Sequence, residues 1–217
     1  KWGRLKKALG EKEENKKRIR EKGYRGFLRY LEYRMDPWFA DYTMWMQERM
    51  ASKRELFAQS RVKFPYEPLI SIVIPLYNTP EKFLGELMDS LTGQSYHNIE
   101  ICLADGSSED RVGKYIRRKY GRDSRVKYKR LEKNGGISEN TNAAAAMASG
   151  DFIMLSDHDD VVARDAVYEI VKAINEDPER TDIVYTDEDK VTMNGKKYFE
   201  PNLKPDFDLD LLRSNNY

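Results

Sequence analysis

Three short apolar runs, each stopped by a polar loop, constrain this chain more than any other feature. Ile70-Ser-Ile-Val-Ile74 ends at Pro75-Leu-Tyr-Asn78, Ile99-Glu-Ile-Cys-Leu-Ala104 ends at Asp105-Gly-Ser-Ser-Glu-Asp110, and Phe152-Ile-Met-Leu155 ends at Ser156-Asp-His-Asp-Asp160. Apolar runs of this length bounded by turn residues read as buried strands. Helical patterns separate them, so the alternation predicts an α/β fold: a mainly parallel sheet covered by helices. Ligands of such sheets bind just beyond the carboxyl ends of the strands, which assigns the three loops to one site.

The intervening elements can be placed from local signals. Thr79 is expected to cap a helix with Pro80 at its first position, turning Phe83, Leu84, Leu87, Met88 and Leu91 inward. Val126 to Leu131 reads as a third strand. Ser138 is expected to cap a helix running through the alanines at 143–146 and ending at Gly150, with the alanines making a close helix-to-sheet contact. A helix presenting Ala166, Val167, Ile170, Val171 and Ile174 follows, then a strand at Asp182-Ile-Val-Tyr-Thr186. Val191 to Tyr198, centred on Asn194-Gly195, reads as a hairpin.

Residues 1–63 differ in character and are expected to form a helical N-terminal extension, with a domain over 64–217. Residues 1–60 carry 16 basic and 9 acidic side chains against 22 and 28 in the remainder, so the excess positive charge falls on the extension. Its basic stretch runs to Lys22, followed by helices at Tyr24–Met35 and at Trp38 to about Arg61, with Asp36-Pro37 as the break. Phe27, Leu28, Tyr30, Leu31 and Met35 share one face, as do Trp38, Phe39, Tyr42, Trp45, Met46 and Met50. Such faces pack on the domain, on a second copy, or on a membrane surface. No nucleic-acid motif accompanies the charge. The single cysteine, Cys102, sits within an apolar strand and excludes an internal disulfide. Two histidines, His97 and His158, leave no Cys/His zinc cluster.

The acidic loop at 156–160 needs a positive partner, because its three carboxylates repel one another. Hard oxygen donors suit magnesium or manganese, which commonly sit between one or two carboxylates and substrate phosphates. Two other readings of the carboxylates fail. Val161 and Val162 stand where an EF-hand requires an oxygen ligand and glycine, and adjacent aspartates on one turn cannot flank a sugar as glycoside hydrolysis requires. Asn134-Gly-Gly-Ile-Ser138 precedes a helix N-terminus, where N–H groups favour anions. It is neither a Walker loop nor a dinucleotide fingerprint.

Taken in order, Ser71-Ile-Val-Ile-Pro-Leu-Tyr-Asn-Thr79, Ala104-Asp-Gly-Ser-Ser-Glu-Asp110, Asn134-Gly-Gly-Ile-Ser138, Thr141-Asn142, Ala148-Ser-Gly-Asp151 and Leu155-Ser-Asp-His-Asp-Asp160 closely resemble the family 2 glycosyltransferases, over about Pro68 to Tyr217. That resemblance implies the GT-A fold and a nucleotide-diphosphate sugar donor. It further implies an inverting transfer to a glycan or lipid-linked acceptor in surface polysaccharide synthesis, on the cytoplasmic side of the membrane. By the same resemblance Asp159 binds Mn2+ or Mg2+, with Asp157 on the metal or the ribose. Pro75, Tyr77, Asn78, Asp105 and Gly136 hold the nucleotide, Asp105 accepting from the base N–H. Gly106 departs from the family's second aspartate. The catalytic base is expected after Tyr217, with Asp187, Glu188 and Asp189 as local candidates, so the chain reads as part of a longer protein. The rival readings are a GT-A-like module that binds a nucleotide or partner without turnover, and a metal-dependent nucleotidyltransferase. The latter requires a Gly-rich first loop that Pro75-Leu-Tyr-Asn78 lacks.

Overall fold

A computed structural model describes residues 37–214 together with Asn15, Lys16, Leu28 and Leu31. The rest of the expected basic stretch, and the Phe27, Tyr30 and Met35 face, lie outside the described residues, as do the side chains of Trp38 and Phe39. The chain divides into two compact units, one of residues 51–184 and one of residues 1–50 with 185–217.

The first unit is built on four parallel strands, β1 (Ile70–Leu76), β2 (Ile99–Asp105), β3 (Val126–Arg130) and β4 (Phe152–Leu155), in the spatial order β3-β2-β1-β4. Every residue of β1 and β2 is buried, as expected of central parallel strands covered on both faces. On one face Ile70, Ile72, Ile74 and Leu76 meet Ile99, Ile101 and Leu103 beneath α3 (Glu81–Thr92), α4 (Arg111–Tyr120) and α6 (Ala166–Glu176). On the other, Val73, Cys102 and Ala104 pack under α5 (Ile137–Ala145), where Ala144 is fully buried and Ala143 and Ala145 close the contact. The expected alanine contact is therefore present. Fully burying each Ile or Leu is worth about 1.5–3 kcal/mol. A one-residue slip would exchange those side chains for Ser71 and Glu100, which fixes the register.

Ser71 and Glu100 build a polar clamp on the α5 face. Glu100 accepts from Ser71 Oγ at 2.7 Å, from Ser149 N at 2.5 Å and Ser149 Oγ at 2.9 Å, and pairs with Lys127 Nζ at 2.6 Å. Burial pushes its carboxyl up, but the Lys127 ammonium and the serine donors outweigh that and hold it at about 2. Gly150 N donates to Ser71 Oγ at 2.9 Å, and a Cβ on Gly150 would lie 2.4 Å from the Leu69 carbonyl oxygen. Asp151 completes the join by accepting from Leu69 N at 2.8 Å. The Ala148-Ser-Gly-Asp151 motif thus seats β4 against β1.

Several local expectations are corrected. The helix expected from Trp38 to Arg61 is two, α1 (Pro37–Arg49) and α2 (Lys53–Gln59), because Ser52 and Glu55 form a capping box that starts a new helix. That helix falls in the same unit as the sheet, tied by Ser95 Oγ donating to Gln59 Oε1 at 2.8 Å. Thr79 does not cap α3: Pro80 holds the cap position and its carbonyl accepts from Leu84 N. Gly136, not Ser138, precedes α5, at φ 87, a left-handed value that glycine adopts without a Cβ clash. α4 lies where no helix was predicted. Residues 181–187 form no regular strand.

In the other unit β5 (Glu188–Val191) and β6 (Tyr198–Asn202) form an antiparallel pair that closes at Val191–Tyr198, the ends of the expected hairpin, with Asn194-Gly195 in the connecting turn and the strands extending beyond it. Within this unit α1 packs on the pair. Tyr42 Oη donates to Asp189 Oδ2 at 2.9 Å, and Thr43 Oγ1 donates to the Tyr198 carbonyl and accepts from its N–H. A short helix, α7 (Leu209–Ser214), follows. No helix among the described residues is long and apolar enough to cross a membrane.

Candidate functional site

Parallel strands in the order β3-β2-β1-β4 bring the ends of β2, β1 and β4 side by side, so the three polar loops emerge along one edge. Pro75 is buried opposite Ala104, and Tyr77 stands 47% exposed beyond the strand end. Asn78 takes φ 50, a left-handed conformation that Asn tolerates better than most side chains. Its N–H donates to Ser107 Oγ at 2.8 Å.

Ser107 links this loop to Asp105, whose Oδ1 accepts from both the N–H and the hydroxyl of Ser107. The other carboxylate oxygen accepts from Tyr128 Oη at 2.7 Å. Burial, and then the Asp105 carboxylate, raise the Tyr128 phenol well above its usual range, which keeps it a donor. Asp105 is 0% exposed. Its carboxylate anchors the loop that a ligand would meet. Arg130 braces the same loop by donating to the Ser107 and Ser108 carbonyls at 3.4 and 3.1 Å, while Asp110 pairs with Arg130 and Arg117.

Between the two loops lies an open cleft of about 290 Å³ lined by Asn78, Ser107, Ser108, Glu109, Arg111 and Val112. Behind it, Asn134 Oδ1 accepts from Asn140 Nδ2 at 2.9 Å and from Gly136 N at 3.1 Å, and Asn140 Oδ1 accepts from Gly135 N. Gly106 packs against this pair: a Cβ there would come 2.8 Å from Asn140 Nδ2 and 3.1 Å from Asn134 Cα. The absence of an aspartate at 106 thus has a steric counterpart in the neighbouring loop.

The acidic turn leaves β4 beside the middle of β1, where Ser156 N donates to the Val73 carbonyl. Asp157, Asp159 and Asp160 are exposed. His158 is half-buried, its Nδ1 enclosed and 4.0 Å from Asp159 Oδ1. The segment that follows is held from the end of α3. Gln94 donates to the Ala163 carbonyl at 2.7 Å and accepts from Val167 N at 3.0 Å, and Ser90 Oγ accepts from Val162 N at 3.2 Å. Among the described residues no group of three or more His, Cys, Asp and Glu could by itself hold a metal ion. Two exposed carboxylates on one turn do fit a hard cation whose remaining ligands are water and substrate phosphate.

Asp187, Glu188 and Asp189 belong to the other unit and are occupied there. Asp187 accepts from Lys204 N, Glu188 from Asn202 Nδ2, and Asp189 from Tyr42. Burial raises the Asp189 carboxyl, against the lowering effect of the Tyr42 hydrogen bond. Ser107, Tyr128, Arg130, Asn140 and Gln94 shape the site without having been singled out from the sequence.

The model of the family described as glycosyl transferase family 2 matches residues 71–214. The chain is 39% identical to an uncharacterized protein, y4gI, of Sinorhizobium fredii over 174 residues, covering 80% of this chain and 19% of that protein. It is 31% identical to the O-antigen biosynthesis protein RfbC of Myxococcus xanthus over 182 residues, covering 83% of this chain and 14% of that one. Less than a fifth of either relative is therefore spanned. Among solved structures, S. aureus TarS 1–349 in complex with UDP aligns at 30% identity and TM-score 0.45, over 49% of this chain and 32% of that one.

Proposed function

The chain belongs to the family 2 glycosyl transferases, and on that footing we propose that it takes part in moving a sugar from a nucleotide-diphosphate donor to a glycan or lipid-linked acceptor, with inversion, in building a surface polysaccharide. The observation that carries the proposal is the cleft between Asn78 and Ser107–Val112, open at the carboxyl ends of β1 and β2. We assign the base and ribose to that cleft, with Tyr77 exposed at its approach and the loop pinned from below by Asp105 and Tyr128. Asp157 and Asp159 would receive the diphosphate through Mn2+ or Mg2+. A divalent cation there offsets the charge that develops on the leaving diphosphate, worth several kcal/mol. Gly136 presents the N-terminus of α5, whose unpaired N–H groups favour the same anion.

Deprotonation of the acceptor hydroxyl is assigned to a carboxylate outside the described residues, since Asp187, Glu188 and Asp189 are each engaged within their own unit. The donor-binding part is taken as the unit of residues 51–184. We place the enzyme on the cytoplasmic side of the membrane, and residues 1–63 remain a proposed membrane or subunit contact. Calorimetry with UDP, dTDP and GDP, with and without Mn2+, tests the assignment. The expected outcome is metal-dependent binding that Asn78→Ala weakens about tenfold and Asp159→Ala renders metal-independent. Equal affinity of the wild type and both variants would overturn it.

A further inference from the structure

The unit of residues 51–184 carries a band of positive charge that the balance of the chain conceals. Between Arg111 and Lys133 stand eleven Lys or Arg against two acids, Asp123 and Glu132. The fold gathers much of this charge along one side, because α4 packs over the edge strand β3, with Gly113 set against the Tyr128 hydroxyl. Val112, Tyr115, Ile116 and Tyr120 turn inward, which leaves the outer face of α4 to Arg111, Lys114, Arg117, Arg118 and Lys119. Arg122 and Lys129 are exposed beyond it.

Some of these charges are matched internally: Arg117 pairs with Asp110, and Arg118 with Glu81. Lys114, Arg122 and Lys129 form no ion pair with a carboxylate among the described residues, and Lys119 lies over the Tyr115 ring, its ammonium favoured by the Tyr115 hydroxyl and more weakly by the Asp89 carboxylate. A single-sign field of this density repels itself, and an anionic partner relieves the repulsion.

We infer that the α4–β3 face docks on an anionic phospholipid surface. Several Lys and Arg on the polar face of an amphipathic helix match anionic headgroups. Single-stranded nucleic acid would instead call for exposed aromatic platforms. Here Tyr115 and Tyr120 are only 5% and 8% exposed, and Tyr128 is turned to Asp105. Arg111, first in the row, also lines the cleft, so docking on this face sets the donor site near the bilayer. The inference rests on the proposed transfer only in that a lipid-linked acceptor would be met there.

Sedimentation of the whole chain with phosphatidylcholine vesicles, with and without phosphatidylglycerol and with no nucleotide present, separates this claim from the donor assignment. Binding is expected only with the anionic lipid and should weaken as salt rises. Joint substitution K114Q, K119Q, R122Q and K129Q should reduce it by about fivefold for each charge removed, with melting unchanged. Substituting Lys6, Lys7, Lys16 and Lys17 by Gln removes as much charge from the N-terminal region and should cost less. Undiminished binding by the first variant, a greater loss with the second, or equal binding to neutral vesicles would overturn the inference. So would single-stranded RNA binding that the first variant abolishes in the absence of any vesicle binding.

Discussion

Tyr128 donates its hydroxyl to Oδ2 of Asp105 over 2.7 Å, joining edge strand β3 to the floor of the cleft. Tyr128→Phe leaves a buried carboxylate oxygen short of a donor, so stability should fall by about 1–3 kcal/mol. Because Asp105 also orients Ser107 and through it Asn78, nucleotide affinity should fall with it. Urea unfolding and nucleotide titration on one sample check both. Asp105→Asn should likewise lower both. A loss of affinity at unchanged stability in that variant would instead mean that Asp105 contacts the base directly.

Gly106 faces a different constraint, set by the Asn134–Asn140 pair. Gly106→Ala should cost about 1–3 kcal/mol through overpacking, since Asn134 Cα is main chain and cannot swing aside. Gly106→Asp should cost more. Asn140→Ala combined with Gly106→Ala should recover part of the loss by opening the space, a coupling that a double-mutant cycle measures directly.

The strands were legible because continuous apolar runs ending in turn residues leave few alternatives, and the alanines of α5 announced how close that helix must come. What could not be read were the partners. Nothing in the sequence around Asp105 announces that Tyr128, 23 positions on, arrives beside it by strand pairing. Gln94 carries no local signal, yet the fold brings Ala163 and Val167 to its amide. The basic outer face of α4 obscured an inward stripe that Val112, Tyr115 and Ile116 make plain in the structure. At 182–186, β-forming composition alone did not yield a regular strand.

Glu100 makes the stability of the sheet unit pH-dependent. Its folded carboxyl lies near 2 against an ordinary 4.5, so its contribution is complete above about pH 4.5 and is lost as pH falls toward 2. The contribution is on the order of 2–3 kcal/mol. Thermal melts across that range should show the wild type losing stability more steeply than Glu100→Gln. The variant should be less stable at neutral pH and nearly parallel to the wild type above pH 5. Equal slopes in acid would assign the clamp's stability to Ser71 and Ser149 rather than to the charge.

Gln94 and Asp159 should fail in different ways. Gln94→Ala deprives the Ala163 carbonyl and the Val167 N–H of their side-chain partner, at about 1–3 kcal/mol for each group left unsatisfied. The segment after the acidic turn then loosens, so nucleotide affinity in Mn2+ should drop while its dependence on Mn2+ persists. Asp159 is exposed, so Asp159→Ala should leave melting within about 0.5 kcal/mol of the wild type. Its nucleotide affinity should instead become the same in Mn2+ and in chelator. Titrations in both conditions, run beside urea unfolding, separate a residue that places the turn from one that works on it. Metal dependence retained by Asp159→Ala would remove that carboxylate from the site, and unchanged stability in Gln94→Ala would remove the clamp.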